Sequence, residues 1–195
     1  MRLLAIMMSV ITFAAISQAA AVEIRSSVNP ATLKTSKTIS TKRYLTSQDA
    51  YQLLTENPEI VFIDVRDPVE ISLSGRPALL DAVVPVRIQS VEFDSSIEQF
   101  VLKDNPDFLD QMKVVMKRER KAKDDLIIVT CGSGMRSAIA AQQLIDAGYT
   151  NVWHIPDGYD GDDRPGINTK NAWRLAGLPW TNAPVFGDEW RLILD

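Results

Sequence analysis

Cysteine and histidine are scarce in this chain: Cys131 and His154 each occur once in 195 residues. A single thiol forms no internal disulfide, so stability must come from a packed core. One Cys and one His also fall short of the usual nitrogen–sulfur metal set, and no metal ligand is assigned. Positive charge is not in excess either. Twenty-one Lys and Arg face 25 Asp and Glu, a net charge of −4. That balance argues against nucleic acid as a partner, which usually needs a basic face. The sustained apolar run from Leu3 to Ile16 is shorter than the ~20 residues of a membrane-spanning helix. No repeat is visible, and the length suits one domain able to bury a core.

The N-terminus does have a recognisable layout. Arg2 precedes the apolar run, and Ala19-Ala20-Ala21 follows in an A-x-A arrangement. Residues 1–21 therefore read as a cleaved secretory signal peptide, which predicts a periplasmic or secreted protein with no membrane span after cleavage. Losing Arg2 leaves 20 basic against 25 acidic residues, a net of −5. No cysteine lies near the cleavage point to carry a lipid. Residues 22–43 are rich in Ser, Thr and Lys without a period, and read as a linker or flexible arm. A domain over 44–182 and a tail over 183–195 complete the division.

Within the domain, helical and strand patterns alternate. Thr46 and Asp49 predict a capped helix that carries Ala50, Leu53 and Leu54 and stops at Asn57-Pro58. Ile60–Val65 is a short apolar run suited to a strand buried on both faces. A short helix is predicted over Pro68–Leu73, closed by Gly75. Ala82–Val86 is a weaker strand, placed near an edge by Pro85. Residues 88–104 fit neither period. Asn105-Pro106 predicts a capped helix through Met116, whose Lys117–Lys121 cluster suits its C-terminus. Leu126–Thr130 is a central strand, Ser137–Ala147 a helix and Asn151–Ile155 a strand. A last short helix is predicted over Thr169–Ala176. This alternation indicates an α/β fold, a mainly parallel sheet with helices on both faces.

Cys131 stands between the clearest strand and a helix, in VTCGSGMRS. Ligands of open α/β sheets bind at the carboxyl ends of strands. Gly132 and Gly134 allow the backbone around Ser133 and Met135 to curl, so that successive N–H groups converge. The next helix adds positive potential at its start. A thiolate, an anionic substrate or a bound persulfide suits such a ring. An inert core thiol is the alternative for a lone Cys, and the order strand, Cys, glycine-rich loop, Arg, helix argues against it. His154 lies in a predicted strand and reads as structural. Asp157, Asp160, Asp162 and Asp163 read as a solvated loop, since their spacing is not that of an EF-hand.

Cys131-Gly132-Ser133-Gly134-Met135-Arg136-Ser137 resembles the C-x-x-G-x-R-S loop of single-domain rhodanese-like proteins. Ile63-Asp64-Val65-Arg66-Asp67-Pro68-Val69-Glu70 resembles the family's I-D-V-R-x-x-x-E segment. Ala147-Gly148-Tyr149-Thr150-Asn151-Val152 resembles its L-x-x-x-G-(F/Y)-x-x-V segment. The resemblance spans roughly Leu45 to Gly161 and implies a three-layer rhodanese fold and sulfurtransferase activity. On that reading Cys131 is the nucleophile, and Gly132 to Ser137 cradle its persulfide. Arg136 holds the donor or fixes the loop through an ion pair, and Asp64 and Arg66 brace the rim. The implied partners are a small sulfur-containing anion and a thiol or cyanide acceptor, with no cofactor beyond the covalent cysteine persulfide.

The resemblance has gaps. Arg76 stands where the family has His, and Pro156-Asp157-Gly158-Tyr159-Asp160-Gly161 replaces G-G-x-x-x-W. That run and the later WRLAGLPW, Trp173 to Trp180, resemble an exported subgroup. Tyr159 and Trp180 are candidates for the pocket mouth, although packing is the expected role of Trp173 and Trp180. A related phosphatase group needs C-x5-R, whereas Cys131 to Arg136 is C-x4-R, a shorter loop suited to sulfur. The remaining alternative is a non-catalytic or sulfur-carrier accessory module of an exported redox system, acting with an exported protein partner.

Overall fold

A computed structural model describes residues 22–162 and 170–183. The expected signal peptide (1–21), Asp163, Thr169 and residues 184–195 of the expected tail lie outside the described residues. Among the described residues, no helix is long and apolar enough to cross a membrane.

The elements run α1 (Ser47–Glu56), β1 (Val61–Asp64), α2 (Pro68–Ser74), β2 (Arg76–Pro77), β3 (Ala82–Val83), β4 (Arg87–Asp94), β5 (Gln99–Asp104), α3 (Phe108–Arg118), β6 (Ile127–Thr130), α4 (Met135–Asp146), β7 (Val152–His154) and β8 (Trp180–Thr181). The central sheet has the order β3-β1-β6-β7, and each neighbouring pair is parallel. Its two faces sort the strand residues by parity, because side chains alternate across a strand. Val61, Ile63, Ile127 and Val129 pack with Phe108, Met112, Val115 and Met116 of α3 and with Ala140, Ala141 and Leu144 of α4. Phe62 and Ile128 face the other way, toward Ala50, Leu53 and Leu54 of α1, Ile71 of α2 and Trp173. Helices cover both faces, which is the expected three-layer α/β architecture.

Capping residues set the helix starts on one face. Thr46 and Asp49 form a reciprocal capping box on α1, and Asp67 and Glu70 form another on α2. α3 departs from expectation and begins at Phe108, with Asp107 at its cap position. Asn105 accepts the Asp107 N–H through Oδ1 at 3.1 Å, just ahead of the helix, and is also tied to distant partners. Its Nδ2 donates to the Pro85 carbonyl at 2.7 Å and to Gln111 Oε1 at 2.9 Å. β3 lies at the sheet edge and ends at Val83, ahead of Pro85, which has no N–H for a ladder.

Residues 88–104 form most of an antiparallel hairpin, β4 with β5. Val91, Phe93, Phe100 and Leu102 on it are exposed, and the Phe93 and Phe100 rings meet edge to face at 5.4 Å. The predicted helix over Thr169–Ala176 is absent over its described residues, which form turns. Two of its N–H groups are spent elsewhere: Trp173 donates to the Gly158 carbonyl and Arg174 to that of Tyr159, each at 3.0 Å.

Residues 22–43 lie against the domain. Asn29 caps a 3-10 turn over Pro30–Thr32, and a second turn covers Thr35–Lys37. Ser27 donates to the Asp49 carboxylate through its N–H and hydroxyl, and Ile39 and Lys37 are buried. The hydroxyls and lysines of this segment make specific bonds, which composition alone does not reveal.

Trp173 anchors the C-terminal segment. Its ring is fully buried beside Phe62 at 5.3 Å, and its Nε1 donates to the Pro179 carbonyl at 2.8 Å. Trp173→Ala should cost about 3–5 kcal/mol, the usual range for emptying such a site. Urea unfolding of the variant against wild type measures it, and a cost near zero would show that this segment does not support the sheet.

Candidate active site

The parallel strands β1 and β6 pair in register, Asp64 opposite Thr130, so Asp64 and Cys131 emerge at the same sheet edge. Cys131 directly follows β6 and is 1% exposed. The chain then turns through Gly132 and Ser133 to Gly134, which caps α4 at φ +92°. α4 begins at Met135, two residues before the predicted start, so Arg136 and Ser137 belong to its first turn. First-turn N–H groups have no place in the helical ladder and give the turn a positive potential. The Gly134 N–H donates to Cys131 Sγ at 3.1 Å. The Ser137 hydroxyl lies 3.5 Å from Sγ. Met135 is exposed at the rim.

A second loop holds this turn from behind. Tyr159 N–H donates to the Cys131 carbonyl at 2.7 Å, and Asp160 and Gly161 N–H donate to that of Gly132 at 2.9 and 3.0 Å. The backbones approach so closely that a Cβ on Gly134 would sit 2.1 Å from the Pro156 oxygen. A Cβ on Gly158 would sit 2.4 Å from the Gly132 oxygen. The replaced P-D-G-Y-D-G run is therefore the partner of the Cys131 loop.

Asp64 and Arg66 lie buried beside the turn. Both are fully buried and bidentately paired, with Arg66 Nη2 2.7 Å from Asp64 Oδ2. Arg66 also donates to Ser74 Oγ and the Gly75 carbonyl, reaches Asp160, and stacks 4.2 Å over the Tyr159 ring. Burial works against the Arg66 cation, and Asp64 more than offsets it, so the guanidinium is held above its ordinary value. Arg136 likewise faces a carboxylate, with its Nη2 2.7 Å from Glu70 Oε1 and Nη1 bonded to Oε2. Burial pushes the Glu70 carboxyl up, and the Arg136 bonds outweigh it and hold the carboxyl below its usual range. Arg136 is thus engaged by Glu70 of α2.

Tyr159, a candidate for the pocket mouth, is buried in the second loop, whereas Glu70, Gly158 and Asp160 join the site without having been assigned to it, although motif positions flag them. His154 and Lys37 carry no such signal. His154 is fully buried, 3.3 Å from Ser137 Oγ through Nδ1 and 2.8 Å from the Lys37 carbonyl through Nε2. Asp162 sits 3.8 Å from Lys34. Among the described residues, no group of three or more His, Cys, Asp or Glu is arranged to hold a metal ion. Trp180 pairs with Pro77 in the β2–β8 ribbon and lies 5.1 Å beneath the Arg174 guanidinium.

A rhodanese-like domain family model matches residues 46–162. This chain belongs to the rhodanese-like family. An uncharacterized protein of Rickettsia conorii is 31% identical over 134 residues, 69% of this chain and 93% of that one. A chloroplastic thiosulfate sulfurtransferase of Arabidopsis thaliana is 41% identical over 66 residues, 34% of this chain and 51% of that one. Among solved structures, Rv0390 from M. tuberculosis superposes with a TM-score of 0.53 at 28% identity, covering 72% of this chain and 97% of that one. The family places the chain in the sulfurtransferase superfamily and agrees with the parallel sheet order.

Two outcomes follow from this rhodanese-like geometry. Gly134→Ala meets both a left-handed backbone and the Pro156 carbonyl, and should destabilise by at least about 2 kcal/mol; thermal unfolding checks it, and an unchanged midpoint contradicts the close approach. Burial lowers the His154 pKa from 6.5 to about 4. Between those values the unfolded chain binds a proton that the folded chain does not, so stability falls as pH drops through this window. The integrated loss is about 3 kcal/mol. Urea unfolding of wild type and His154→Asn from about pH 7 to about pH 4 should show an excess wild-type loss of that order.

Proposed function

We propose that this rhodanese-like protein is a sulfurtransferase with Cys131 as its nucleophile. The observation that carries the reading is the Gly134 N–H bond to Sγ, 3.1 Å long, at the N-terminus of α4. The Cys131 thiolate attacks the outer sulfur of thiosulfate or a similar sulfane donor. The S–S bond of the donor breaks and its electron pair leaves with sulfite. The persulfide on Cys131 lies in the turn of Gly132, Ser133, Gly134, Met135, Arg136 and Ser137. A thiol or cyanide then attacks the outer sulfur, and the Sγ–S electron pair returns to Cys131. Asp64 with Arg66, and Glu70 with Arg136, hold the turn in place by ion pairs.

The reading extends to location. Residues 1–21 act as an export signal, residues 44–182 are the working domain, and the WRLAGLPW segment marks an exported subgroup, so the sulfur is handled in the periplasm or outside the cell. The physiological acceptor is a small thiol or an exported protein thiol.

Incubation of the mature protein with thiosulfate should add one sulfur, about 32 Da by intact mass, lost on adding cyanide or thiol. Cys131→Ser should gain nothing. Absence of a gain with thiosulfate, polysulfide and a persulfide donor alike would sink the enzyme reading.

A further inference from the structure

The family match begins at residue 46, yet a line of buried polar contacts joins Cys131 to a residue before it. The line runs from Sγ to the Ser137 hydroxyl at 3.5 Å, on to His154 Nδ1 at 3.3 Å, and from His154 Nε2 to the Lys37 carbonyl at 2.8 Å. Cys131, Ser137 and His154 are each no more than 1% exposed. A carbonyl only accepts, so Nε2 carries the imidazole hydrogen and Nδ1 is a bare acceptor. Ser137 must therefore be the donor in its bond to His154.

Ser137 has one hydrogen and several acceptors around it. The Gly134 carbonyl lies at 3.1 Å and His154 Nδ1 at 3.3 Å. A thiolate at Sγ is another acceptor. While Cys131 is a thiol, its S–H can donate to Ser137 Oγ and Ser137 to Nδ1, a complete chain. Once Sγ is negative it attracts the same hydrogen, and turning the hydroxyl toward it leaves Nδ1 unmet in a buried site. When Cys131 carries a persulfide, charge moves to the outer sulfur and the hydroxyl can return to Nδ1.

We propose that His154 is a positioning residue for Cys131: its bare Nδ1 competes with Sγ for the Ser137 hydrogen, and the Lys37 carbonyl fixes the tautomer that makes it compete. The inference rests on Cys131 being the reacting thiol, as in the reading above, but not on any sulfur donor. It makes the 22–43 segment part of the site. The titratable groups facing His154 are Cys131 through Ser137, the Tyr44 ring at 5.3 Å, and the Lys37 ammonium, which donates to the Pro156 carbonyl at 3.0 Å. Burial and the Lys37 charge keep the imidazole neutral, while the Lys37 carbonyl bond opposes them less strongly.

The test is the pH profile of Cys131 alkylation by iodoacetamide, read by intact mass on the full chain. This readout needs no sulfur transfer, so a protein that never takes up sulfur can still show the effect. His154→Asn keeps an acceptor oxygen near the position of Nδ1. His154→Gln keeps a donor toward the Lys37 carbonyl and removes the acceptor. His154→Gln should alkylate about fivefold faster near neutral pH, the scale of one redirected hydrogen bond, with its profile displaced to lower pH. His154→Asn should follow wild type, and His154→Gln should add nothing in a Ser137→Ala background. A His154→Gln profile that overlays wild type, or an equal displacement without Ser137, overturns the proposal. If these variants do not fold, the ring-nitrogen NMR signals of the sole histidine decide. A bare Nδ1 whose signal follows Cys131 ionisation, and stops doing so in Cys131→Ser, supports it. A protonated Nδ1 or an unresponsive signal overturns it.

Discussion

The buried Arg66 guanidinium ties together the parts on which the rest of the site depends. It pairs with Asp64 at the end of β1, donates to Ser74 and the Gly75 carbonyl at the end of α2, reaches Asp160, and lies over the Tyr159 ring. A charge taken out of water is costly unless its donors are met. Here the donors meet a carboxylate, a hydroxyl and a carbonyl at fixed positions, so the cation is tolerated only in one arrangement of strand, helix and loop. The ion pair is better understood as setting geometry than as adding stability.

That geometry is passed to the Cys131 turn through the backbone. Tyr159 and Asp160, held by Arg66, donate their N–H groups to the carbonyls of Cys131 and Gly132. With those carbonyls facing the second loop, the Gly134 N–H is left to point at Sγ. Gly134 and Gly158 are needed because the two backbones touch where any side chain would collide. The direction of the Gly134 N–H toward Sγ is thus set by the backbones of Gly158, Tyr159, Asp160 and Gly161.

Much of this was legible in the sequence where one physical signal dominated. Val61–Asp64 and Ile127–Thr130 are buried along their whole length, and continuous apolar runs announce such strands. The Cys131 turn was legible because its residues are contiguous. The β4–β5 hairpin was not, since most of its residues are exposed and no alternation marks a buried face. The start of α3 lies later than the Asn105-Pro106 signal because the Asn105 Oδ1 bond to the Asp107 N–H closes a turn before the helix, while its Nδ2 is tied to Pro85, 20 residues away. Lys37 and His154 were invisible as site residues for the same reason: their contact joins positions 117 residues apart, and nothing local distinguishes them from an arm lysine and a strand histidine.

On the proposed sulfur-transfer reading, the fate of Arg136 bears on which anion suits the turn. A loop that binds a tetrahedral phosphoryl group in the related phosphatases depends on an arginine one residue further along than Arg136 stands here. Arg136 spends its guanidinium on Glu70, with both terminal nitrogens bonded to the carboxylate. Releasing it to a ligand would leave Glu70 half-buried and unpaired. On the proposed reading, charge recognition then falls to the backbone, of which the Gly134 N–H donates to Sγ, an arrangement that suits one small anionic atom better than three spread oxygens. A terminal persulfide sulfur is such an atom. The short C-x4-R spacing and the Glu70–Arg136 pair therefore belong together: an arginine at this position is tied to the rim carboxylate, as a turn proposed to close around a single sulfur requires.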